Sequence, residues 1–496
     1  MRLRTRELPV FPVAGGPVRG GPASVAAVEP QSFEIGPADG PRLGLVTLGC
    51  DKNTVDSERM MAVLAQAGAR VTSDVESAQV VVVNTCGFIE SAKEQSIDTI
   101  LRACEMKEEG RVEAVVAVGC MVQRHGDELE REIPELDLSL GIAEMPRLVS
   151  KLRTLGWLPS EDDGEVHNGI VHNMEIPLRV LATSTPHTSF LKISEGCDHR
   201  CAFCAIPHMR GLHRSAPLGE LVDEARALGE AGVRELNIVS QDTTWYGRDL
   251  RRRDRSAALL PELLRALLDG SDVEWFRLLY MYPSGIGRDT VSLIAGEPRL
   301  LPYLDMPLQH GSDRVLARMR RPERRSVVRE RVRWLREEIG DLTLRTTVIV
   351  GFPGETEDDV EEMLDFLDEI RFDRLGAFAY SVEEGTAAAA MPDQVPDEIK
   401  AERLDRVMER QREISWELNQ SWVGRRARAL VDSVPSPSGG GDAAQAVGRT
   451  EGQAAEVDGH TLLTGAGLTE VQPGDFVEIE IVDADDYDLA ARIVAR

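Results

Sequence analysis

Between residues 42 and 158 the spacing of apolar positions switches back and forth between two periods. The runs "RLGLVTLGC", "AQVVVVNTC" and "VEAVVAVGC" are almost continuously apolar and rich in valine. The segments between them, "TVDSERMMAVLAQAGA" and "AKEQSIDTILRACEMKEEG", repeat their apolar residues at helical spacing. Strands without polar alternation are buried on both faces, so this region predicts an open parallel sheet covered by helices on each side. The first helix is expected to open on an N-cap at Thr54 and to close at Gly68.

A second pattern fills residues 183–420. Six strand-like runs, "SFLKIS", "RELNIVS", "WFRLLYMY", "PYLDMPL", "LTLRTTVIVGF" and "RLGAFAYS", are mostly separated by amphipathic helices such as "TEDDVEEMLDFLDEI". Six β/α units are too few for the usual eight-stranded closed barrel. They predict a partial (β/α)6 barrel, open on one side to admit a large substrate and ended by a helix over about residues 396–422. Residues 421–496 change character again. Short runs such as "RARALVDSV" and "AAEVDGHTLL" flank the glycine-rich "SPSGGGDA" and predict a small antiparallel β-barrel. The fold class expected is therefore α/β multidomain. Residues 159–182, beginning with the acidic "PSEDDGEV", read as a linker. Residues 1–41, basic at first and then punctuated by Pro and Gly, read as a flexible extension and not a signal peptide.

Charge narrows the partners. Lys and Arg total 57 against 84 Asp and Glu, a net charge of −27, which repels phosphate backbones and attracts basic partners. The stretches "RDLRRRDR" and "RVLARMRRPERRSVVRERVRWLR" read as solvated faces. No run of about 18 apolar residues occurs, so no membrane span is expected. Seven cysteines, an odd number in so long a chain, do not make a secreted disulfide framework. They suit a cytoplasmic protein whose reduced thiols are free to bind metal.

Cys50, Cys86 and Cys120, separated by 36 and 34 residues, each end a predicted strand of the first sheet. The carboxyl edge of a parallel sheet is where ligands bind, and three thiols delivered there can converge on one metal. Cys104 differs: it shares a helix face with Ile97, Ile100 and Leu101 and reads as core. The remaining three, Cys197, Cys201 and Cys204, form C-x-x-x-C-x-x-C in "EGCDHRCAFCAIPHMRG", directly after the strand "FLKIS". Thiolates at this spacing suit zinc or an iron–sulfur cluster. Structural zinc wants a fourth protein ligand, for which His208 is the candidate. The loop, however, follows the first barrel strand at the catalytic edge. That position favours an iron–sulfur cluster, and a four-iron cluster on three cysteines leaves one iron without a protein ligand.

"CDHRCAFC" on a six-unit barrel resembles the radical S-adenosylmethionine superfamily. The resemblance implies that the backbone at Phe203 approaches the adenine and that "GFPGET", with Gly351, Gly354 and Glu355, lies near the cofactor. The order of a three-cysteine α/β domain, a radical domain and a small TRAM-like barrel resembles the methylthiotransferases over about residues 42–496. That family implies two [4Fe–4S] clusters, one on Cys197, Cys201 and Cys204 and a second on Cys50, Cys86 and Cys120. It also implies S-adenosylmethionine as radical source and methyl donor, and an external reductant. Two branches of the family differ in substrate: an adenosine of tRNA, or an aspartate of small-subunit ribosomal protein twelve, free or in the ribosomal particle. "LGCDKNTVDSE", "HRCAFCAIPHMRG", "SQDTTWYG", "PYLDMPLQHGSD" and "AEVDGH" resemble the second branch; Pro322 stands where that branch leads one to expect Gly. The terminal barrel carries six Arg, no Lys and thirteen acidic residues, which disfavours tRNA and suits a basic ribosomal protein. Asp242, Gln309 and Ser312, near strand ends, are expected to line the pocket.

Overall fold

The computed structural model describes residues 33–159, 179–181, 185–435, 445–465, 467–468 and 470–495. They form two compact units. The first comprises the described residues up to 181 together with Ile206–Gly211, and the second Thr185–Ala205 and the chain from Leu212 on.

The first unit is built on six strands: β1 Glu34–Ile35, β2 Arg42–Thr47, β3 Arg70–Thr72, β4 Val80–Thr85, β5 Ala114–Gly119 and β6 Leu138–Gly141. Their order is β1-β3-β2-β4-β5-β6, and every pairing from β3 to β6 is parallel. All six residues of β4 and of β5 are buried, as an unbroken apolar run requires. Helices cover both faces, and each face has its own core. One gathers Leu43, Met61, Val71, Val82 and Val116, the other Val46, Val83, Ile100, Val115 and Met121.

Four local expectations change. The helix Asp51–Gln66 starts before Thr54, and Cys50 occupies its N-cap position. Cys104 is buried beside Ile100, Ala103 and Met106, but Ile97 and Leu101 of the supposed shared face are exposed. The helical stripe there is narrower than the sequence suggested. Within the expected extension, β1 pairs with β3, and Phe33 and Ile35 pack on the core. Within the expected linker, Arg179 forms a buried ion pair with Glu58, and Val180 is buried. Residues 1–32 of the one segment and 160–178 and 182 of the other lie outside the described residues.

The second unit carries β7 Thr188–Lys192, the short antiparallel pair β8 Ser194–Glu195 and β9 Arg214–Ser215, then β10 Glu235–Val239, β11 Trp275–Leu278, β12 Leu300–Asp305, β13 Thr343–Val350 and β14 Arg374–Ala379. Strands β7 and β10–β14 make one six-stranded sheet in the order β14-β13-β12-β11-β10-β7, parallel throughout and not closed. The helix Asp397–Gln420 follows. Then β15 Arg426–Ser433, β16 Ala446–Thr450, β17 Thr461–Thr464, β18 Phe476–Ala484 and β19 Leu489–Ala495 close into a barrel. Its pairings are antiparallel except β17 with β19, which run parallel.

That small barrel docks against the six-stranded parallel sheet through groups the sequence had hidden. Within "AAEVDGHTLL" only the last three residues are strand, the start of β17. The preceding turn reaches into the sheet: Arg277 donates to the carbonyls of Glu451 (2.7 Å) and Gln453 (3.2 Å), and Tyr303 donates to Asp458 (2.7 Å). Leu430, Ala454 and Phe476 share an apolar cluster with Trp275, Leu301 and Tyr303. Glu235 and Thr343, the first residues of β10 and β13, meet the barrel, as does Arg277 within β11, so it covers the amino-terminal side of the sheet.

Candidate cluster sites and family

In the first unit the backbone brings the three scattered cysteines together. Cys86 and Cys120 directly follow the paired residues Thr85 and Gly119 on adjacent strands. Cys50 lies three residues beyond β2, the other neighbour of β4. A Cβ placed on Gly49 would fall 2.9 Å from the Cys86 sulfur, and one on Gly87 would fall 2.7 Å from the Met121 Cα, next to Cys120. Only glycine permits such approaches. Asn53, in the first helical turn after Cys50, ties the three strand ends. Its amide donates to the carbonyls of Leu48 (2.7 Å) and Thr85 (3.2 Å), and its oxygen accepts from the Cys120 thiol at 3.8 Å. Ser96 accepts from the Cys86 N–H and donates to its carbonyl, both at 3.0 Å.

Burial pushes the Cys120 thiol up to about 12, opposed by the Arg210 guanidinium and reinforced by Cys50 and Cys86. A thiol in that setting ionises when a cation binds it.

The second triplet occupies the loop between β8 and β9. Cys197, Cys201 and Cys204 are half-buried. Burial raises Cys197 to about 12, while a backbone N–H from His199 opposes the rise. His199 bonds the buried Asp242 at 2.7 Å and stacks on Tyr282 with ring centroids 4.0 Å apart. Arg321 lies over the other side of this group, 3.9 Å from the Tyr282 ring centre, and its Nη1 is 3.9 Å from the Cys201 sulfur. A cationic and aromatic wall thus flanks the loop.

All seven cysteines are free thiols. No set of three or more His, Cys, Asp or Glu side chains stands in metal-binding geometry among the described residues. The backbone frame and the donor chemistry nevertheless fit thiolate-held clusters. A cysteine sulfur relocates by one χ1 rotation, whereas the glycine-lined approach of the strand ends is fixed by the sheet. Soft sulfur ligands in sets of three, with buried apolar surroundings, suit iron–sulfur binding.

Three family models match the chain in series: "Uncharacterized protein family UPF0004" over residues 42–141, "Radical SAM superfamily" over 191–367 and "TRAM domain" over 423–494. Curated relatives match nearly end to end. The chain is 46% identical over 461 residues to "Ribosomal protein uS12 methylthiotransferase RimO" of Symbiobacterium thermophilum, with 90% of each chain covered. It is 47% identical over 458 residues to the protein of the same name in Desulforudis audaxviator, covering 92% of this chain and 98% of that one. The protein of that name in Anaeromyxobacter sp. strain K is also 47% identical, with 92% and 94% covered. The chain belongs to the RimO family.

In this RimO-family chain, "GFPGET" and the triplet loop meet. Phe203 is half-buried in a cluster with Phe352 and Tyr380, and the Ala202 N–H donates to the Met319 carbonyl at 2.9 Å. Gly351 and Gly354 have φ of +72° and +75°, and the atoms nearest a Cβ there belong to Lys400 and Arg318. Glu355, expected to contact the cofactor, is buried. Its carboxylate accepts from the N–H groups of Gly351 (2.9 Å) and Phe352 (3.3 Å), from Arg403 (2.9 Å), and bonds His310 (3.2 Å). It shapes the loop. Among the expected pocket residues, Asp242 is committed to His199 and Thr244, and Ser312 is buried and donates to Asp359. Gln309 is half-exposed, with φ +81°, and bridges to Val348. His208, the candidate zinc ligand, is exposed.

Proposed function

We propose that this chain methylthiolates ribosomal protein uS12, the activity its relatives' name gives them, and that it does so at the β-carbon of an aspartate. The observation that carries the reading is the pair of separate three-cysteine sets, each held at the carboxyl edge of a parallel sheet. Cys197, Cys201 and Cys204 would hold one [4Fe–4S] cluster, and Cys50, Cys86 and Cys120 the other, each with one iron free of protein ligands. When bound, the two clusters and S-adenosylmethionine supply reductive radical generation, a sulfur donor and the methyl group.

The chain's own part is orientation and exclusion of water. The Asn53 network fixes the three strand ends. The wall of His199, Tyr282 and Arg321 shields the triplet loop, and Phe203 with the Glu355-stapled loop forms an apolar side for a nucleoside. The terminal barrel, with its net negative charge, favours a basic protein over tRNA, whose phosphates it would repel. No helix among the described residues is long and apolar enough to cross a membrane. A cytoplasmic site of action and an external electron donor complete the reading.

Protein reconstituted anaerobically should carry about eight irons, four per cluster. Replacing Cys197, Cys201 and Cys204 by Ala should leave about half of that iron and abolish reductive cleavage of S-adenosylmethionine. In a strain lacking the gene, intact mass of uS12 should fall by the difference between SCH3 and H while tRNA modification stays unchanged. Zinc in place of iron, or a tRNA change with uS12 unaltered, would overturn the assignment.

A further inference from the structure

The first unit contains a buried cation that the functional reading does not use. Arg210 belongs to the short segment Ile206–Gly211, which packs with the first unit. Its side chain is buried. Nη1 donates to Asp56 at 3.1 Å, and Nη2 donates to the Asn53 oxygen at 2.5 Å. That same oxygen accepts from the Cys120 thiol at 3.8 Å. Asn53 in turn holds the carbonyls of Leu48 and Thr85, the residues leading to Cys50 and Cys86. One arm of the guanidinium is therefore anchored by Asp56, and the other is aimed at the atom that touches the Cys120 sulfur.

We propose that Arg210 is a positioning residue for the cluster held by Cys50, Cys86 and Cys120, acting through Asn53 to hold the strand ends that carry those ligands and through its charge to set that cluster's reduction potential. The inference rests on the ligand assignment made under the proposed function. Outer groups that hold the ligand-bearing backbone in place and set the charge around it are as consequential for a metal centre as the ligands themselves. A buried guanidinium favours the more negative, reduced state of a nearby cluster, so its loss makes reduction harder. Arginine suits the task because its planar fork engages two acceptors at fixed geometry; lysine supplies the charge without the fork.

The test uses the full chain with Cys197, Cys201 and Cys204 all replaced by Ala, so that one cluster remains and its signals are unmixed. Into this parent go Arg210→Gln and Arg210→Lys. Iron content and an electron-paramagnetic-resonance redox titration are read for each. Arg210→Gln is expected to keep most of its iron and to shift the midpoint potential downward. Arg210→Lys is expected to recover part of that shift. An unchanged potential in Arg210→Gln would overturn the proposal. Equal loss of iron in both variants would also overturn it, by reducing Arg210 to a packing role. A parent that binds no iron would instead overturn the ligand assignment, and the proposal with it.

Discussion

Arg449 of the terminal barrel and Glu235 at the start of β10 form a buried ion pair, 214 residues apart in sequence. Arg449 also donates to Thr188 (3.0 Å) and to both oxygens of Asp432 (2.8 and 3.0 Å), which His187 meets at 2.9 Å. Arg277 donates to the other Glu235 oxygen at 2.8 Å. Two arginines, two carboxylates and a histidine thus seal the small barrel onto the amino-terminal side of the radical sheet.

Removing one partner of such a network leaves the others charged and buried. Arg449→Ala should destabilise the second unit by about 3–5 kcal/mol. Replacing Arg449 and Glu235 together by Leu should not recover that loss, because Arg277 then loses its carboxylate and Asp432 keeps only His187. Denaturant unfolding followed by tryptophan fluorescence checks both, with Trp275 in the shared cluster as reporter. A single replacement without effect would show the network to be energetically idle.

The same network predicts acid sensitivity. Burial alone would raise Glu235, but Arg449 and Arg277 outweigh it and hold the carboxyl below its ordinary value of 4.5. Burial likewise opposes, and Arg449 and His187 overcome, in holding Asp432 below 3.8. Native values lower than unfolded ones mean stability that is complete above the unfolded values and lost as pH falls toward the native ones. Thermal unfolding of the second unit should therefore hold steady above about pH 5 and decline below it. Glu235→Leu combined with Arg449→Leu should flatten that decline; an equally steep decline would place its origin elsewhere.

Cys104 should behave as core. It is buried, and burial, helped by Glu135, pushes its thiol up to about 11. Cys104→Ala should cost about 1 kcal/mol and leave iron content unchanged, whereas Cys120→Ala should lose the iron of one cluster. In native protein without iron, alkylation at pH 8 followed by peptide mass spectrometry should label Cys104 after the half-buried Cys50, Cys201 and Cys204. Early labelling would contradict its packing.

Several of these features were legible in the chain and others were not. Strand runs such as "AQVVVVNTC" are buried on both faces, so their composition alone reported β4 and β5. The strands also carried Cys86 and Cys120 to neighbouring positions. Asn53 and Arg210 left no comparable signal, since a polar residue three positions after a cysteine and an arginine in "PHMRG" look like ordinary surface. Their meaning depends on a contact across 157 residues. The docking turn before β17 was misread as strand because its apolar and polar residues alternate. Tertiary contacts to Arg277 and Tyr303 satisfy its carbonyls and Asp458, where a strand would have used a ladder. The "GFPGET" glycines were legible as a tight turn but not as to which atoms crowd them.

The position of the barrel shapes what its charge can do. It covers the amino-terminal side of the sheet, whereas the triplet loop follows β7 and β8 on the carboxyl side. Acidic groups on it would therefore meet a basic substrate protein away from the reacting carbon, and contacts equally strong in ground and transition states change KM without changing kcat. Glu478 and Asp483 are exposed on β18. Glu478→Lys with Asp483→Lys should raise KM for uS12 severalfold, at up to about 1 kcal/mol for each exposed charge, and leave kcat nearly unchanged. The effect should shrink as salt is raised, because exposed charges are screened within about 10 Å at 0.1 M. Steady-state kinetics on purified uS12 at two ionic strengths checks both points. A fall in kcat with KM unchanged would mean that the barrel acts on the chemical step, which its place on the sheet does not favour.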